Sequence, residues 1–127
     1  MAASPVFAVT PRIGAVSIAT AEASYTAPTN VGTLITGAST GTRISEIVVK
    51  CAATSALGIV RIFLYDGSNY WLFDEISTAA ATGSTTVLQT RVSTTYNNLI
   101  LPSASWSVRV TTSISQAIHV TALGADL

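Results

Sequence analysis

Charge is what this sequence has least of. Six of its 127 residues are Lys or Arg and six are Asp or Glu, so 9% are charged and the net charge is zero. An average soluble domain carries roughly 25%. The shortage argues against nucleic-acid binding, because neutralising phosphates takes clusters of Lys and Arg. It also leaves a surface with little self-repulsion, which favours packing against copies of the same chain. Cysteine occurs once, at Cys51, so no disulfide can close within the chain. In alternation with Ile47 and Val49 it reads as a small buried apolar residue. Histidine also occurs once, at His119, with no Cys/His cluster that could build a zinc site. No run reaches the roughly 18 apolar residues of a membrane-spanning helix. The first fourteen residues lack the basic and then apolar order of a secretory signal. The expectation is a chain made in a cytoplasm, with no membrane partner.

Catalytic pairs are missing too. Asp74-Glu75 is the only adjacent acid pair, and neighbours on a strand point to opposite faces. Two such carboxylates cannot share a glycosidic bond. His119 alternates with apolar residues on a polar strand face, without the orienting acid and nucleophile that a general base needs. The Asp66-Gly67 segment lacks the spaced acids of a calcium loop and reads as a turn. No cofactor, metal or catalytic residue is expected, and the chain is not expected to be an enzyme.

What is present is β-pattern. Gly58–Ile76 reads GIVRIFLYDGSNYWLFDEI, two β-branched and aromatic runs around the turn formers Asp66–Asn69. That is a hairpin with a four-residue connection. Five of the nine aromatic residues lie in it. Val60, Ile62 and Leu64 face one way, and Arg61, Phe63 and Tyr65 the other. In the second run Tyr70, Leu72 and Ile76 share a side. Around the hairpin, further strands are expected over 12–20 with a bulge near Gly14, 31–36, 43–53, 85–95 with Val87 and Leu88 as anchors, 105–111 and 116–123. Short strands separated by turn signals, with no amphipathic helix, predict an all-β fold: an antiparallel, jelly-roll-like β-sandwich of about eight or nine strands. An immunoglobulin-like sandwich is the alternative. The expected core is Ile62, Leu64, Leu72, Trp106, Val108, Val110, Ile118 and Val120.

Residues 1–11 read as an N-terminal arm ahead of a single domain over 12–127. Pro5 and Pro11 bracket Val6-Phe7-Ala8-Val9, which carries no charge. Proline denies this segment a place inside its own sheet but permits an edge or a tether. Val6, Phe7 and Val9 are therefore candidate contacts to another subunit. Arg61 and Tyr65 are the others, because Arg and Tyr are enriched at interfaces. For Arg61 the alternative is an apolar-covering stem, its guanidinium beside an aromatic ring.

From Gly41 onward the chain resembles small β-sandwich virion proteins of tailed bacteriophages and prophages. The resemblance rests on Gly41-Thr42-Arg43-Ile44, on Val60 to Gly67, and on Asp74-Glu75-Ile76. It continues in Leu101-Pro102, Trp106-Ser107-Val108-Arg109 and the closing stretch His119 to Asp126. It covers about two-thirds of the chain, and its motifs are structural. The resemblance implies a non-enzymatic virion structural protein, foremost a capsid decoration (cement) protein made in the host cytoplasm. Such a protein binds the outside of the shell as a homo-oligomer, with three-fold symmetry expected, and meets the major capsid protein or other virion proteins. The alternatives are a neck or tail fitting, or a tail-fibre module that binds a receptor or carbohydrate. An exposed aromatic platform beside a carboxylate would favour that module.

Overall fold

The computed structural model describes residues 9–127, and these form eight strands. They are β1 (Thr10–Ile18), β2 (Gly32–Thr36), β3 (Thr42–Cys51), β4 (Gly58–Tyr65), β5 (Tyr70–Thr78), β6 (Arg91–Leu101), β7 (Ser107–Thr112) and β8 (Ile118–Asp126). One four-stranded sheet, sheet A, runs β1-β8-β3-β6, and the other, sheet B, runs β2-β7-β4-β5. Every pairing is antiparallel. Strand pairs are nested about the β4–β5 turn: β4 with β5, β3 with β6, β2 with β7 and β1 with β8. A long hairpin wrapped over itself gives this order, which is the eight-stranded jelly roll.

The inner faces alternate as period-two strands should. Ile47, Val49 and Cys51 of β3, Val60 and Ile62 of β4, Val108 and Val110 of β7, and Ile118, Val120 and Ala122 of β8 are all buried in one cluster. In β3 both Ile44 and Ile47 are buried although they break the alternation. Ser45 is an extra residue against β8, so a bulge turns both isoleucines inward.

Five expectations need correction. Leu72 lies at the surface, 41% exposed, rather than in the core. The β4–β5 register slips between Ile62 and Phe63, leaving Phe73 as an extra residue of β5. Tyr70 and Leu72 therefore share the outer side with Tyr65 and Phe63, while Ile76 stays inward opposite Val60. Leu64 and Trp106 pack against the core but are only partly buried. The expected bulge at Gly14 is absent, because β1 pairs with β8 without a break from Thr10 to Ile18. A Cβ at Gly14 would collide with the Leu34 carbonyl and the Ile35 side chain, so this glycine serves close approach between β1 and β2. The strand expected over 85–95 starts at Arg91, and Val87 and Leu88 are exposed in the connection before it. Thr10 and Pro11, placed in the arm by sequence, are the first residues of β1.

The β1–β2 connection straps the outer side of sheet B. Glu22 N–H donates to Thr112 O at 2.8 Å. The Glu22 carboxylate accepts from the backbone N–H groups of Asn30 (3.0 Å), Ser24 (3.2 Å) and Thr29 (3.3 Å). These amides, Asn30 first, hold its pKa below the usual value. A lowered folded-state pKa means that the contribution is present above the ordinary carboxylate range and lost as pH falls through the depressed value. Acidification is therefore expected to weaken the hold on the Asn30 amide, and Glu22→Ala to release it at neutral pH by removing the acceptor. Amide exchange at Asn30 measures both, and protection in E22A equal to wild type would refute the assignment.

Candidate interaction surfaces

The two sheets differ in what covers their outer faces. On sheet B, Arg61 is only 6% exposed. Its guanidinium stacks 4.3 Å from the centroid of the Tyr25 ring and donates to Tyr25 Oη at 3.0 Å and to Glu22 O at 3.3 Å. Arg61 Nε lies 3.4 Å from Glu75 Oε1, near enough for ion pairing but without an aligned hydrogen bond. The aromatic partner expected beside Arg61 thus comes from the β1–β2 strap. Tyr65 is half-buried on the same side of β4, stacked between the Arg109 guanidinium (4.3 Å) and Tyr70 (4.4 Å). Its hydroxyl donates to Gly67 O at 3.1 Å. Arg61 and Tyr65 therefore belong to two separate stacks. Val9 is 77% exposed, and its N–H extends the β1–β8 ladder by donating to Asp126 O at 2.8 Å. Val6 and Phe7 lie outside the described residues.

At the hairpin tip Asp66 organises the turn. Its Oδ1 accepts from the N–H groups of Asn69 (2.7 Å) and Ser68 (2.8 Å), and its Oδ2 accepts from Trp71 Nε1 at 3.1 Å. These bonds, Asn69 first and Trp71 next, lower its pKa. Trp71 is held in place yet 54% exposed. Behind it Asp74 accepts a 2.8 Å hydrogen bond from Tyr96 Oη, and Phe73 packs on the Tyr96 ring at 5.5 Å. This bridge joins the edges of the two sheets. Burial, and then the Asp74 contact, push the Tyr96 phenol pKa up. Glu75 points to the other side, toward Arg61, so the two adjacent acids diverge as strand geometry requires.

Among the described residues the outer face of sheet A carries no such strap. Its register sets side chains in rows across β1, β8, β3 and β6. Ser17, His119, Lys50 and Arg91 stand abreast at one end. The next row is small: Ala15, Thr121, Val48 and Ser93. In the third row Glu46 lies beside Leu123 and Thr95. Like charges directly opposite on neighbouring strands repel. Yet neither Lys50 nor Arg91 has an acidic partner among the described residues. Lys50 Nζ donates to the Gln89 carbonyl at 2.8 Å. Single residues hinted at none of this, because the row exists only once three distant segments pair.

The concavities are shallow. One of about 310 Å³ lies between the end of β1 and the start of β2, and one of about 300 Å³ beside Ser17 and His119. Among the described residues no three His, Cys, Asp or Glu side chains cluster to hold a metal ion. No helix among the described residues is long and apolar enough to cross a membrane. No family model and no curated protein matches the sequence.

Proposed function

We propose that this chain is a non-enzymatic structural subunit of a tailed-bacteriophage virion, foremost a decoration protein that binds the outside of the shell as an oligomer. The observation that carries the reading is the asymmetry of the sandwich. Sheet B is strapped by its own chain, while among the described residues nothing crosses the flat outer face of sheet A, with Ile13 69% exposed at its β1 edge. Such a face suits docking to protein better than small-molecule chemistry. The resemblance from Gly41 onward points the same way. The major capsid protein is the proposed support, and the free chain is synthesised in the host cytoplasm. A neck or tail fitting is the same kind of role at another address, and copy number tells them apart. Purified particles are expected to contain the chain in many copies, read by quantitative mass spectrometry. A handful of copies would move it to the neck or tail, and none would overturn the virion role.

One observation favours the second reading, a carbohydrate-binding module: the fixed, half-exposed Trp71 indole beside Asp66. An indole face can stack on a sugar ring. Quenching of tryptophan fluorescence by host-surface oligosaccharides, absent in Trp71→Ala, would support it.

A further inference from the structure

We infer that the outer face of sheet A is a self-complementary interface, and that two copies of this chain pair through it about a two-fold axis passing over Val48. Only the charges on this face and their spacing along β3 are needed, so the inference does not depend on the virion reading. Lys50 and Glu46 flank Val48 two residues to either side on the same strand face. At about 3.3 Å per residue each sits roughly 7 Å from Val48. A two-fold axis lying in the plane between two facing sheets, perpendicular to the strands, sets β3 antiparallel over β3 of the mate. It places each Lys50 over the mate's Glu46, so this ion pair forms twice. Arg91, in register with Lys50, lies within lateral reach of the same carboxylate.

The repulsive row of Lys50 and Arg91 has no acidic partner among the described residues, and the mate supplies one. The middle row is small, which lets two sheets approach at about the 10 Å of ordinary sheet packing. Four strands at about 4.8 Å and nine residues at about 3.3 Å make a face of roughly 19 by 30 Å. With side-chain relief this nears the roughly 800 Å² per partner that stable interfaces bury. An isologous contact closes after two copies, so the face fits a pair where the sequence suggested three.

Sedimentation of the full chain tests the geometry. Wild type is expected to be a dimer, with its association weakened by salt. Lys50→Glu and Glu46→Lys, each alone, bring like charges together and should weaken association at least about ten-fold. The rescue is the discriminating step. The double variant E46K/K50E restores both pairs and should dimerise. An equimolar mixture of the two single variants should form heterodimers, because K50E offers two acids where E46K offers two lysines. Far-ultraviolet circular dichroism checks that each variant is folded. A monomeric or three-fold wild type, single variants that associate like wild type, or a folded mixture that stays monomeric each overturns the proposal.

Discussion

Ile62→Ala is expected to lower stability by about 2–5 kcal/mol, the range for truncating a fully buried large aliphatic side chain. Ile62 has no exposed surface and lies between Asp74 on β5 and Val110 on β7. Removing three carbons there leaves a cavity walled by paired strands, which can collapse little. Leu64→Ala should cost distinctly less, since Leu64 touches the core but keeps part of its surface in solvent. Urea unfolding of the two variants at matched conditions measures the difference. A larger loss for Leu64→Ala would mean that the packing of the inner face is misassigned.

Gly14→Ala is the second. One methyl group normally costs little on an edge strand, but here it would enter the Leu34 carbonyl and the Ile35 side chain. Neither can move without shifting β2 against β7. Overpacking of this kind costs about 1–3 kcal/mol. Ala15→Ser is the control, being exposed on the opposite face of the same strand. Thermal unfolding should separate them clearly, and equal melting temperatures would show that β1 is not seated on β2 at Gly14.

These two sites also mark how far the sequence could be read. The Ile62 side of β4 was plain, because β-branched residues alternate there and Asp66–Asn69 supplies turn chemistry. The same regular period made β3, β7 and β8 legible. Gly14 was not, because a glycine in a strand pattern signals either a bulge or close approach, and only the partner strand decides which. The slip at Phe73 leaves no local trace either. It follows from the edge position of β5 and from the tie between Asp74 and Tyr96, which comes from another strand. Val87-Leu88 attracted a strand assignment because they are the only large apolar pair in a Thr-rich stretch. The real inward side chains of β6 start with Val92, and its pairing with β3 is irregular between Ile44 and Glu46. The charged row on sheet A was the least legible feature, since it depends on the mutual register of β8, β3 and β6.

The nesting of strand pairs has a consequence for synthesis. A ribosome delivers β1 first, and its partner β8 is the last strand to emerge. The same holds for β2 with β7 and β3 with β6, so three strands wait with open edges while β4 and β5 are made. Until then only the central hairpin can close on a neighbour in sequence. Exposed strand edges invite pairing with other chains. Of the strands that wait, β2 has five residues, whereas β3 has ten and carries Ile44, Ile47, Val48 and Val49. β3 is therefore the waiting strand with the most to gain from a foreign edge, until β6 and β8 have been made and pair with its two sides.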